Sequence, residues 1–410
     1  MICSPKSDSL RTKKDINRVH NYPLDDTPYY FTIHNSIHEI EDVWSDLCAK
    51  KSIFLSVNYF KAIEACPPDD LQSRYLLLRN SNDEIVAFFL CQLKLFEASD
   101  SIKDNDESKS VIDLRKSVAK RVKFHTLIGG NITVSGEYMC CFLEGLPSKR
   151  RFELTEKILD SYREILQKSG HPINVTLLKD VHESKSTHKL GIDHSRFKEF
   201  GVEPLMVLRL NKEWETLDDY MASMTSKYRT RVRRTFKKGK NLKYRECDLD
   251  EIIEKKDLFY KLYMNVFDNV DFSLFKLSPD YFAEMKRHLG ENFRFFVVSI
   301  EGKGICAFYT LMNNNNELHA HYLGYDPEVN REALLYLNML YHMVELGIKG
   351  KYQTIDFGRT ALEIKSSLGA EPQSFSLYLK HKNQIANLFV PSVIGILNKK
   401  TEWIPRSPFQ

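Results

Sequence analysis

The sequence predicts a mixed α/β protein with α+β-type mixed sheets, built as two tandem units, and three observations lead there. The stretch from His319 to Leu379 alternates strand, polar loop, helix, strand and polar loop, with glycine or proline at the switches. Both halves of the chain then read in one order: helices, antiparallel strands, and a closing strand, helix and strand. Finally, 410 residues exceed one ordinary core, and 42% hydrophobic with 12% aromatic content can fill two.

The elements follow in order. Residues 1–27 are polar and turn-rich and are expected to be a flexible tail, followed by an amino-terminal unit over 28–204. Within it the pattern predicts helices over 37–49 and 58–66. Strands over 74–79 and 84–96 follow, joined through the turn Asn80 to Asp83. The acidic, serine-rich stretch Ser99 to Ser110 reads as a mobile loop, and a basic helix is expected over 113–123. A glycine bend at Gly129 and Gly130, a strand over 138–143, a helix over 152–168 and a strand over 173–178 complete the unit.

The carboxy-terminal unit is expected over 205–385, with a tail over 386–410. Its strand over 205–210 precedes helices over 214–238, 248–267 and 279–289, then a hairpin of 293–300 and 305–312 around Glu301 to Gly304. A strand over 317–323 is broken by Gly324, Tyr325, Asp326 and Pro327. Helical periodicity runs over 331–346 through Leu334, Leu337, Leu340, Tyr341 and Val344, and Gly347 and Gly350 close it. A strand over 352–357, the turn Gly358-Arg359-Thr360, a helical turn carrying Lys365, Gly369 and a strand over 374–379 finish the block.

Composition excludes several classes. A net charge of +4 is close to neutral for this length, so bulk attraction to nucleic acid or membrane has no basis in the total, and no DNA partner is expected. The eight cysteines show no C-x-x-C or Cys/His ligand spacing, which supports neither a zinc site nor a disulfide scaffold. The amino terminus lacks a hydrophobic signal segment, and no run reaches the roughly 18–20 apolar residues of a membrane span. A cytoplasmic location is the expectation.

Local charge is more informative. From Lys227 to Arg245 there are ten Lys or Arg residues and no acid. On a helix Tyr228, Val232 and Phe236 form the buried stripe, while Arg229, Arg233 and Lys237 lie beside it. Arginine suits phosphate because its planar fork donates two hydrogen bonds together. A solvated basic face is the plain alternative. In an open α/β sheet ligands collect at carboxyl ends of strands, so Arg359 and Lys365, after two consecutive strands, are expected to face an anion.

Other motifs carry less. Asp356-Phe357-Gly358 spells the kinase metal-binding triplet, but the H-R-D loop, glycine-rich loop and strand lysine are missing, so Asp356 is expected to end a strand and to fix Arg359 by a salt bridge. His319 and His321 share a strand face, with packing or hydrogen bonding their expected role and no third metal ligand near. Tyr325 and Asp326 stand at the strand end, where Asp326 can orient an amine or take its proton, or simply cap the next helix. The apolar tail over 387–397 packs on the body or touches a membrane peripherally.

The order of elements is that of the GNAT N-acetyltransferase fold used twice. The segments YLGYD (322–326), IDFGR (355–359), the intervening helix, Lys365 and Gly369 resemble the signature of the acetyltransferase-like superfamily that includes the Fem-type peptidoglycan aminoacyltransferases. The segment SKYRTRVRR (226–234) is similar to their basic helix. The likeness covers roughly 205–385, and the first half by order of elements only.

The resemblance implies an N-acyltransferase that passes an acyl or aminoacyl group to an amine, with cell-wall and cell-envelope precursors among the acceptors. It implies that Lys365 stabilises the oxyanion of the tetrahedral intermediate and that Arg229 and Arg233 hold phosphate of the donor or acceptor. The chain departs from the coenzyme A pattern, since DPEVNREAL (326–334) holds no glycine where R/Q-x-x-G-x-G/A would cradle a pyrophosphate. Arg331 is the side chain that could replace those amides. The donor is therefore open between aminoacyl-transfer RNA and an acyl-coenzyme A held unusually, with no permanently bound cofactor expected. A binding protein that keeps the fold without turnover is the other reading.

Overall fold

The computed structural model describes residues 20–48, 51–97, 123–143, 145–192, 195–269, 275–397 and 403–409. Of the expected tail 1–19 lie outside them, as do the acidic loop and all of the basic helix before Lys123.

In the first half the strands are β1 (Tyr22–Pro23), β2 (Tyr30–His34), β3 (Gln72–Arg79), β4 (Ile85–Glu97), β5 (Lys123–Gly129), β6 (Cys140–Phe142), β7 (Val175–His182) and β8 (Lys198–Gly201). The second half adds β9 (Leu205–Arg209), β10 (Leu242–Cys247), β11 (Phe293–Ile300), β12 (Gly304–Asn314), β13 (Glu317–Tyr325), β14 (Thr354–Asp356), β15 (Glu371–Gln373) and β16 (Phe375–His381). Among the described residues they form two sheets, β1-β2-β3-β4-β5-β7-β16-β8 with β6 on β4, and β10-β11-β12-β13-β14-β9-β15.

From β2 onward the two orders correspond strand for strand. Each sheet has a single parallel pair, β5 with β7 and β13 with β14, and every other neighbour is antiparallel. The correspondence requires an exchange. β9 follows β7 and β8 in the chain but pairs with β14, and β16 follows β14 and β15 but pairs with β7. Thus β16, which the sequence pattern places in the unit 205–385, lies in the first sheet. Local periodicity identifies a strand but not the edge that will accept it.

Three large cores hold the layers of the described residues. One joins the halves, packing Trp44, Tyr59 and Phe60 of the first with Tyr281, Phe282, Phe295 and Phe308 of the second. Another buries Met206, Leu208, Leu318 and Ile355 of the second sheet beneath helix Leu335–Lys349 and Val232 of the basic helix Ser226–Lys238. The last lies between the first sheet and helix Ser148–Lys168. Glycine is required at 324, where a Cβ would stand 2.5 Å from the backbone of Leu262 and Tyr263 on the helix above.

Three long expected helices are broken, among them 248–267, which becomes Leu249–Glu254 and Lys256–Phe267. The region over 331–346 becomes Pro327–Ala333 and Leu335–Lys349, with Leu334 left-handed at φ 53°. The break is held by side chains: Asn330 Oδ1 accepts from Tyr336 N at 2.9 Å, and buried Asn338 donates to the carbonyls of Ala333 (2.8 Å) and Leu334 (3.1 Å). The region over 214–238 likewise divides into Leu217–Ala222, opened by a Thr216/Asp219 capping box, and Ser226–Lys238.

A buried ion cluster ties the sheets where β7 meets the loop after β14. Asp180, fully buried, accepts from the Arg359 guanidinium at 2.7 Å and from Gly136 N at 2.9 Å, and pairs with Lys179. Burial alone would push its carboxyl up, but the Lys179 and Arg359 charges overcome that and hold it below the usual range. Asp180→Asn keeps a residue that tolerates the left-handed backbone here (φ 56°) but strands the buried Lys179 and the part-buried Arg359. Denaturant unfolding should show a loss of about 3–5 kcal/mol, and a loss under about 1 kcal/mol would mean the cluster is solvated.

Candidate functional site: a pocket between the sheets

The parallel ladder of β13 and β14 pairs Glu317 with Thr354, Leu318 with Ile355 and His319 with Asp356, and then stops while β13 continues to Tyr325. Strand alternation sends Leu318 and Ile355 into the second core and turns Glu317, His319, Thr354 and Asp356 to the opposite face. There a pocket of about 450 Å³ opens between the halves. Leu205 and Val207 of β9 extend its floor, and Glu137, Tyr138, His182, Lys185 and Phe375 form the wall from the first sheet.

His319 is the electrostatic centre of this pocket. Its Nδ1 lies 3.4 Å from Asp356 Oδ2 and its Nε2 3.2 Å from Glu317 Oε2. Burial disfavours the imidazolium, but hydrogen bonds to the two carboxylates outweigh it and raise the pKa to about 9. His319 is therefore a cation at neutral pH. Asp356 Oδ1 also accepts from Gly358 N at 2.7 Å, which fixes the carboxylate. Across the pocket Lys185 pairs with Glu137 at 2.9 Å.

Two residues on, His321 behaves oppositely. Its Nε2 meets the Tyr281 hydroxyl at 2.7 Å, and burial together with the His319 charge lowers its pKa to about 3. A neutral His321 thus sits in an aromatic seam where Tyr59 bonds Thr133 Oγ1 at 2.8 Å and Tyr322 donates to Thr133 O at 2.9 Å.

Residues 226–366 match the family model described as an acetyltransferase (GNAT) domain. Over that segment the chain is similar to GNAT acetyltransferases. Its fold superimposes on the crystal structure of FemX with a TM-score of 0.53 at 13% identity, covering 87% of this chain and 99% of that one. The likeness to FemX therefore extends through the first half. Saccharomyces cerevisiae N-myristoyltransferase with bound myristoyl-CoA is similar at TM-score 0.48 and 12% identity (89% and 85% covered). L-PGS from Bacillus licheniformis is similar at 0.43 and 12% (82% and 95% covered). The curated proteins contain no match.

The fold disperses the residues singled out from the sequence. Asp326 caps Pro327–Ala333, its Oδ1 accepting from Glu328 N (2.8 Å) and Val329 N (3.2 Å), so a carboxylate occupies the amides that a pyrophosphate would need. Tyr325 is half-buried against the second core, across the sheet from the pocket. Arg331 is exposed and lies 3.6 Å from Glu328. Arg229 donates to Ala222 O (3.0 Å) and Met224 O (2.8 Å), closing the preceding helix, whereas Arg233 is exposed.

Arg359 does not pair with Asp356, as the sequence suggested, because Asp356 is held by His319; Arg359 crosses to Asp180 and to Glu203 O at 2.8 Å. Lys365 is 3% exposed and outside the pocket lining. Its Nζ donates to Gly358 O at 3.2 Å and to Arg359 O, and burial lowers its pKa to about 7 against the pull of Asp356 and Glu203. It pins a loop in which Gly358, Thr360 and Ala361 all take positive φ (71°, 67°, 48°).

Of the pocket residues, Glu317, Glu137 and Lys185 were missed. Glu317 carried a readable signal, since it is two residues from His319 on one strand face, but Glu137 and Lys185 arrive from the other half. The raised His319 pKa fixes the sign of its linkage to folding. Its stabilisation is complete below the unfolded value of about 6.5 and disappears as pH rises through about 9. Between pH 6.5 and 10 the parent should lose up to roughly 3 kcal/mol more than His319→Asn in denaturant titrations. Parallel pH profiles would contradict the clamp.

Proposed function

We propose that this protein is an acyltransferase that passes an acyl or aminoacyl group to an amine bound in the pocket between its sheets. The observation that carries the reading is the parting of β13 from β14 directly beside a pocket holding one imidazolium and fixed carboxylates. Glu317, half exposed at the pocket edge, draws in an ammonium and takes its proton. The free amine then attacks the donor carbonyl, the bond from that carbon to the donor oxygen or sulfur breaks, and the departing oxygen or sulfur takes up the proton that the nitrogen loses. The His319 charge lowers the energy of the developing oxyanion. Lys365 acts from behind, by holding the loop that carries Arg359 to Asp180.

The donor is best accommodated by the basic helix. With the helix amides after β13 filled by Asp326, a pyrophosphate has no backbone cradle there, whereas Arg231, Arg233, Arg234, Lys237 and Lys238 are exposed on one element. That favours a polyanionic donor such as aminoacyl-transfer RNA over acyl-coenzyme A. A nucleotide-linked cell-envelope precursor is the acceptor class to test first.

The decisive assay is label transfer from acetyl-coenzyme A, longer acyl-coenzyme A species and charged transfer RNA to a panel of amines. Glu317→Gln should lower kcat about a hundredfold in protein that stays folded, while Lys365→Met should lower rate and Tm together. No transfer from any donor, with binding intact, would make the protein a binder. Arg233→Glu with Lys237→Glu should raise KM for the polyanionic donor by about tenfold or more at constant kcat. An unchanged KM would remove the basic helix from donor binding.

A further inference from the structure

Helix Gln384–Leu397 carries no charged residue and includes Pro391. Its inner side is anchored: Asn387 Oδ1 accepts from His381 N and its Nδ2 donates to Arg196 O, each at 2.8 Å, while Asn383 Oδ1 accepts from Ile385 N at 2.9 Å. Over its first two turns the outer side is largely apolar and open. Ile385, Leu388 and Phe389, at i, i+3 and i+4, are 70%, 69% and 61% exposed. They are three of the few large hydrophobic side chains on the described surface.

Charge decides what covers them. From Pro372 to Thr401 the sequence has no acid, but it has Lys380, Lys382, Lys399 and Lys400. Lys380 is consumed inside, by Glu156 at 3.0 Å and Asp160 at 2.7 Å. Lys382 and Arg196 are exposed at the start of the helix, and Lys399 and Lys400 follow its end in sequence. A second copy of this chain would meet its own cations across such a face. The three side chains also offer only roughly 400 Å², about half of what each partner of a stable complex buries.

We propose that this helix docks the protein on an anionic lipid surface, lying in the plane of the interface with Ile385, Leu388 and Phe389 among the acyl chains and Lys382 and Arg196 on headgroup phosphates. It does not cross. Fourteen residues reach about 21 Å against a hydrocarbon core of about 30 Å, and among the described residues no helix is long and apolar enough to span. The docking stands apart from the transfer reaction, since it uses no pocket residue. It still bears on geometry, because β16 runs from Phe375 at the pocket to His381 at the foot of this helix.

The test is flotation of the full chain with vesicles of phosphatidylcholine alone, or with part of it replaced by phosphatidylglycerol. The parent should float with the anionic vesicles and be released by salt. Leu388→Ser with Phe389→Ser should weaken binding on the order of a hundredfold with Tm unchanged, and Lys382→Glu should weaken it on anionic vesicles alone. Absence of flotation, or equal flotation of the double variant, overturns the proposal. So does a parent that is dimeric without lipid, becomes monomeric in the double variant and floats in neither form, which would assign the face to a second copy.

Discussion

The pairing of β16 with β7 is the constraint on which the molecule depends. The first sheet takes this strand from the second half, so the halves are joined by a backbone ladder rather than by side-chain contact alone. The same strand lines the pocket with Phe375, where Leu205 and Val207 of β9 meet it. A site between domains is often adjustable because its walls can part. Here parting would break the main-chain hydrogen bonds of β16 to β7 and β8, and the Asp180 cluster closes the same junction with buried charge.

Electrostatics divides the junction into unlike environments over short distances. His319 and His321 share a strand face, yet two carboxylates make the first a cation while burial keeps the second neutral. Lys365 shows the reverse balance: its ammonium meets only carbonyl oxygens, and burial brings its pKa to about 7. Such opposed shifts at one junction are what a proton-transferring site needs. The left-handed turn at Thr360 and Ala361 is held in place by that lysine, so strain and charge are coupled in one loop.

The near-neutral total conceals two surfaces of separate character. The basic helix presents cations above a buried stripe of Tyr228, Val232 and Phe236, on the face of the second sheet away from the pocket. The terminal helix presents apolar residues with a cationic margin beside the first sheet. One suits a polyanion in solution and the other a charged interface. Both arise from local sequence with few or no acids, which net charge cannot report.

The sequence by itself determined the class of fold, most elements and the buried stripe of the basic helix, because periodicity and turn residues act over a few positions of chain. It also showed the missing glycine loop, and it pointed to Asp326 as a cap as readily as a catalyst. What it could not contain was assembly across the halves. Residues 180 and 359, or 137 and 317, meet only when two sheets close on each other, and no local pattern encodes that distance. Hence Arg359 and Lys365 were legible as polar residues after strands, but tertiary structure decided that one ties the sheets and the other holds a loop. It likewise decided that His319, modest as a sequence feature, is the charged centre of the pocket.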